Sequence, residues 1–157
     1  MPIVLRRAFV GASLAWALLL VAVPLLASRP HSSSIATALV VAVYGIGSFV
    51  CHQLPERSYR LWTAQMPVCA RCAGIYAGAA ASAVAASLAG ARTSAVRASA
   101  RRARVILALA VAPSAATLLY EWTTRHTPSN GIRLAAGLPI GVAVAWLLVS
   151  ASADQVN

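Results

Sequence analysis

The chain has 157 residues, 60% of them hydrophobic and only 10% charged, with a net charge of +10. A soluble domain is about 25% charged, so this composition excludes a water-covered globule and fits one whose surface faces lipid. All 13 cationic residues are arginine. They sit between apolar runs, where arginine pins loops and meets anionic headgroups, and lack the aromatic platforms of a nucleic-acid-binding face.

The first apolar run, Ala8 to Ala27, follows Arg6 and Arg7 and so resembles a signal peptide. Its core exceeds the roughly 7–15 residues of such a region and Leu25-Leu26-Ala27 is a poor cleavage site, which favours a retained helix. After the connection Ser28 to Ser34 come Ile35 to Cys51, Ala73 to Ala91, Val105 to Trp122 and Ile132 to Ser150. Each meets or approaches the about 20 apolar residues of a spanning helix. The prediction is an all-α, polytopic membrane helical bundle of about five transmembrane helices, multi-pass in the cell membrane, with residues 1–157 as a single integral membrane domain. Pro24, Pro113 and Pro139 fall inside apolar runs, which bilayer helices tolerate. Gly74-x3-Gly78 and Gly137-x3-Gly141 are small-xxx-small pairs suited to close helix packing.

If every run crosses, the N-terminus, the Cys51 to Cys72 loop and the Thr123 to Gly131 loop share one side of the membrane. The Ser28 loop, the basic stretch Ala91 to Arg104 and the C-terminus share the other. Glu121, His126 and Arg133 then lie at the same face as the cysteines. Seven arginines against six give no orientation under the positive-inside rule. Arg6 and Arg7 argue against the cytoplasmic placement that the Arg92 to Arg104 stretch favours.

Cys51 to Cys72, CHQLPERSYRLWTAQMPVCARC, holds all three cysteines, one of three histidines, one of three acidic residues and three arginines. An odd cysteine count excludes a complete disulfide framework. Cys51-His52 and Cys69-x2-Cys72 supply three sulfurs and an imidazole in two pairs, the kind of ligand set tetrahedral zinc takes. Adjacent Cys51 and His52 must fold back to face one ion. Soft thiolates also accept other thiophilic metals, including Cu(I) or an iron–sulfur cluster. A second reading is thiol–disulfide exchange, because Cys69 and Cys72 stand at a helix start beside Arg71, where thiolate is stabilised. A third is a structural or transport bundle whose cysteines are small hydrophobes.

Pro55 should end the second helix near Cys51, and Pro67 suits the first turn of the third. Glu56 and Arg57 can pair across a turn. Tyr59, Trp62 and Tyr76 read as interface aromatics. Glu121 closes the fourth run, and an ionisable group near a span is a functional candidate. A salt bridge from Glu121 to Arg133 or Arg71 would tie the last helices to the cysteine loop. Ser129-Asn130-Gly131 reads as a turn and His126 as a loop histidine.

The stretch CHQLPERSYRLWTAQMPVCARCAGIYAG resembles the signature of the domain of unknown function 2085 family, small bacterial multi-pass membrane proteins. The resemblance covers about residues 45–145. It rests on Cys51, His52, Pro55, Glu56, Arg57, Ser58, Gln65, Pro67, Val68, Cys69, Ala70, Arg71, Cys72, Gly74, Tyr76 and Gly78. Glu121, Ser129, Asn130, Arg133 and Gly137 follow the family order further on, although the family more often has Asp-Gly at Glu121-Trp122. It implies a membrane location and a common polar site, and it carries no reaction. The expectation is a membrane protein with Cys51, His52, Cys69 and Cys72 as metal ligands, zinc foremost. Glu56, Arg57, Arg71, Glu121 and Arg133 would form the supporting polar site. The bilayer and anionic headgroups are the expected partners. No catalytic residue or substrate is indicated.

Overall fold

A computed structural model describes residues 3–30, 33–88 and 100–153. Five helices form: α1 (Ile3–Ala27), α2 (Ser34–Val50), α3 (Ala70–Leu88), α4 (Ala100–Thr124) and α5 (Asn130–Ala153). Between α2 and α3 lie a 3-10 turn (Pro55–Arg57) and a two-stranded hairpin, β1 (Arg60–Leu61) and β2 (Ala64–Gln65), with Arg60 opposite Gln65. Three helices, α1, α4 and α5, are long and apolar enough to cross a membrane. Large apolar side chains face outward, Phe49 at 91% exposure and Leu109 at 69%, as a lipid-facing surface requires. A helical membrane bundle is therefore borne out. Pro24, Pro113 and Pro139 all lie inside helices. The basic stretch Ala91 to Arg104 lies mostly outside the described residues.

The tightest seam joins α3 and α5. A Cβ at Gly74 would lie 2.1 Å from the Leu134 carbonyl oxygen, and one at Gly141 would lie 1.8 Å from that of Ile75. Without side chains there the backbones come into direct contact, the use that membrane helices make of small residues. Gly74 meets Leu134, Gly78 meets Leu138, Gly137 meets Arg71 and Gly141 meets Ile75. The numbers rise together, so α3 and α5 run parallel. Antiparallel to them runs α4, whose Ser114 hydroxyl donates to the Ala136 carbonyl at 2.8 Å.

Helix α1 corrects one expectation. Arg6 Nη2 donates to the Ala86 carbonyl at 2.9 Å, near the far end of α3. Trp16 meets Tyr76 edge-on, 5.9 Å between ring centroids. Beyond the other end of α1 the Ser28 hydroxyl accepts from the Thr63 amide of the hairpin at 3.3 Å. Thus α1 is antiparallel to α3, and the Ser28 segment sits with the cysteine loop while the start of α1 sits at the opposite end. Strict alternation fails at α2. Its 17 residues span about 25 Å against a hydrocarbon core of about 30 Å. The chain enters it from the cysteine-side end of α1 and leaves it at Cys51, on that same side.

Candidate functional site

Helix α2 ends at Val50, with the Cys51 amide donating back to the Gly47 carbonyl at 2.9 Å. The chain then turns through Gln53, which holds a positive φ of 49°. Its side chain makes the strain worthwhile. Gln53 Nε2 donates to the carbonyls of Tyr44 (2.9 Å) and Pro67 (2.8 Å). Gln65 Nε2 donates to the Gln53 carbonyl at 2.6 Å, and the Tyr44 hydroxyl donates to the Gln65 carbonyl. Gly47 lets the Pro67 carbonyl approach, since a Cβ there would lie 2.3 Å from it. These bonds strap the returning arm of the loop to α2 and bring Cys69 beside Cys51. Pro67 precedes α3 by three residues instead of opening it; its carbonyl is an acceptor within the strap.

The three sulfurs of Cys51, Cys69 and Cys72 lie within 4.8 Å of one another, and no disulfide joins them. The Cys69 amide donates to Cys51 Sγ at 3.2 Å, and the Cys69 carbonyl accepts the first bond of α3, from Ala73. A hydrogen bond from the Cys72 thiol, helped by backbone amides and the Cys51 thiol, holds the Cys69 thiol down at about 5 against desolvation. Leu20, Met66, Val68 and Ala73 pack around the cluster, with Trp16, Tyr59 and Tyr76 at its edge. Tyr59 and Tyr76 are thus packing residues, while Trp62 is 56% exposed. Exposed His52 lines the same cavity as the sulfurs, but neither ring nitrogen joins their group.

Beside the sulfurs sits a buried ion cluster. Glu121, 6% exposed, ends the apolar part of α4, and Arg133 of α5, 2% exposed, brings Nη2 to 2.8 Å from its Oε1. Arg71 Nη2 lies 3.2 Å from the same oxygen and donates to the Thr117 hydroxyl at 2.9 Å. Arg57 Nη2 reaches Oε2 at 3.6 Å, while exposed Glu56 lies 3.9 Å from Arg57 Nε. The salt bridges from Glu121 to Arg133 and Arg71 thus form as the sequence suggested. Nε of Arg57, Arg71 and Arg133 make no hydrogen bond, and Glu121 Oε2 accepts none, its contact with Arg57 being an ion pair at 3.6 Å. Arg57, Arg71, Arg133, Cys51, His52, Cys69 and Cys72 all line one cavity of about 360 Å³.

Two residues bracing this site escape motif reading. Gln53 is a plain amide in sequence, and only its positive φ and its acceptors reveal the strap. Asn130 looked like part of a turn; it opens α5 and donates from Nδ2 to the Ser58 carbonyl at 3.2 Å, across 72 positions of sequence. Ser129 is the cap, its hydroxyl accepting from Ile132 at 3.4 Å and its carbonyl from Arg133 at 3.1 Å. His126 is exposed, and its amide and ring nitrogen both meet Thr124.

Comparison with known proteins agrees with this picture. The family described as predicted membrane protein (DUF2085) matches residues 51–147, which runs from the first cysteine through most of α5. An uncharacterized protein of Methanocaldococcus jannaschii is 38% identical over 55 residues, 35% of either chain. An uncharacterized protein of Methanothermobacter thermautotrophicus is 33% identical over 100 residues, 63% of this chain and 84% of that one. The chain thus spans about a third of the first relative's length and most of the second's. No solved structure matches.

Proposed function

From a chain that belongs to the DUF2085 family of predicted membrane proteins, we propose a membrane protein that binds one thiophilic metal ion, zinc foremost, through Cys51, Cys69 and Cys72. The observation that carries this is the approach of three free sulfurs within 4.8 Å, two from one end of α3 and one from the end of α2. Sulfurs around a tetrahedral zinc stand about 3.8 Å apart, given bonds of about 2.3 Å, so small side-chain rotations suffice. The Cys69 amide donates a hydrogen bond to Cys51 Sγ, which orients that sulfur beside the other two. Three ligands leave a fourth position toward the cavity, and His52, which lines it, is the nearest imidazole by sequence.

The helix directions also support an orientation. With α1, α3, α4 and α5 crossing and α2 staying on the cysteine side, Arg6 and Arg7 join Arg101, Arg102 and Arg104 at the opposite end. The cysteine side keeps Arg29, Arg60 and Arg125 once the three arginines bound to Glu121 are set apart. Three against five among the described residues favours a cytoplasmic far end in the cell membrane, with the thiols facing out.

Metal analysis of the full chain, purified in detergent without chelator, should give about one ion per chain, lost in a Cys69→Ser/Cys72→Ser variant. Protein that holds no metal and takes up no Zn²⁺ in competition with a chromogenic chelator would sink the proposal. The depressed Cys69 thiol favours a second reading, thiol–disulfide exchange through Cys69 and Cys72. A metal-free chain with a reducible Cys69–Cys72 bond would select it. Alkylation of intact cells by an impermeant thiol reagent tests the orientation.

A further inference from the structure

Three guanidinium groups, from the 3-10 turn, α3 and α5, converge on a single carboxylate from α4. The excess is two positive charges, and exposed Glu56 offsets it weakly, since such pairs at water are worth about 1 kcal/mol or less. A cluster serving only to fasten helices would match donors to acceptors, because buried unpaired cations and donors are costly. Here Nε of Arg133, 2% exposed, and Nε of Arg71 have no hydrogen-bond partner, and Nε of Arg57 comes no nearer than 3.9 Å to Glu56. All three arginines line the cavity of about 360 Å³. A guanidinium fork matches the oxygens of phosphate-like anions in geometry as well as charge.

We infer that this cavity is a binding site for a tetrahedral oxyanion of phosphate or sulfate type, held by Arg57, Arg71 and Arg133, with Glu121 fixing the guanidinium planes. The site does not depend on the metal. One thiolate at Cys69 adds a single negative charge to the lining, as does one divalent ion held by three thiolates. Either leaves the lining cationic. At the end of a membrane bundle the anion comes from one of two sources, a free ion or the phosphate of a lipid headgroup.

The test uses the full chain in an uncharged maltoside detergent, reduced and chelator-treated. It is titrated with inorganic phosphate, with sulfate, and with phosphatidylglycerol in mixed micelles against uncharged diacylglycerol, by calorimetry and by the unfolding midpoint. Binding is saturable. Arg57→Gln, which removes the half-exposed cation and leaves the buried pairs, weakens it about tenfold, the effect of one charged hydrogen bond. Glu121→Gln keeps the shape but removes the competing carboxylate, and binding tightens several-fold. A purely structural cluster predicts no such gain. Responses to phosphate and sulfate with this order of variants identify a free ion, and a response to phosphatidylglycerol alone identifies a headgroup. No saturable response to any of them, no loss in Arg57→Gln, or binding in Glu121→Gln that is unchanged or weaker while its unfolding midpoint shows a folded chain, overturns the inference. A chain that binds phosphate but no zinc would sink the metal reading and leave this one standing, and the converse would sink only this one.

Discussion

The two halves of the cavity are built in opposite ways. The thiol half comes from the 22 residues Cys51 to Cys72, folded by a strap of side-chain amides onto the end of α2. The ionic half draws one residue each from the 3-10 turn, α3, α4 and α5. A site made from one contiguous loop is a local object, free to gain or lose a ligand without moving helices. One made from four elements is also a fastener, and its loss is felt by the whole bundle. The difference teaches which half sets stability and which sets chemistry.

Glu121→Ala draws that contrast most sharply. It leaves buried Arg133 and largely buried Arg71 uncompensated, which should cost about 3–5 kcal/mol in denaturant unfolding of the detergent-solubilised chain. Cys51→Ser should abolish metal binding yet cost the metal-free protein far less. Equal losses in the two variants would break the comparison. Next in size is Gly141→Ala. Its Cβ would fall 1.8 Å from the Ile75 carbonyl oxygen, so the α3–α5 seam must open, at about 1–3 kcal/mol for overpacking. Because that seam sets Arg71 against Arg133, anion and metal responses should both weaken.

The pH dependence is smaller and is read in the thiol half. The folded Cys69 thiol lies below its ordinary value, at about 5. Its contribution to stability is therefore complete above the unfolded thiol value and is lost as pH falls toward 5. In reduced, metal-free protein, alkylation of Cys69 by iodoacetamide should stay fast at neutral pH and fall off with a midpoint near 5. A midpoint above 8 would show that the bonds to Cys69 are absent in solution. Smallest is His52→Ala. With its ring outside the sulfur group, it should leave metal stoichiometry intact and lower affinity by no more than about tenfold, the low end for outer partners. Loss of the metal would return His52 to the ligand set.

Much of the fold was legible because lipid imposes one rule on every span: backbone groups must bond internally, so long apolar runs become helices. The five runs, the glycine pairs and the pairing of Glu121 with Arg71 and Arg133 followed from residue type and spacing. The direction of α1 did not. Hydropathy counts apolar residues and cannot tell at which end of the bundle a helix begins and ends, and α2 follows the cysteine-side end of α1 and closes at Cys51. Nor did spacing distinguish His52 from the cysteines, since adjacent residues along an extended chain point opposite ways and Cys51 has extended dihedrals.

By itself, then, the sequence determined a lipid-facing helical bundle and confined its sulfur chemistry to one loop, because composition and local spacing act within a few residues. Only the tertiary structure decided that three thiols converge without the imidazole, and that arginines from three elements meet a single carboxylate beside them. The reason is physical: charges and sulfurs far apart in the chain acquire a common field only after glycine-lined backbones have closed the distance.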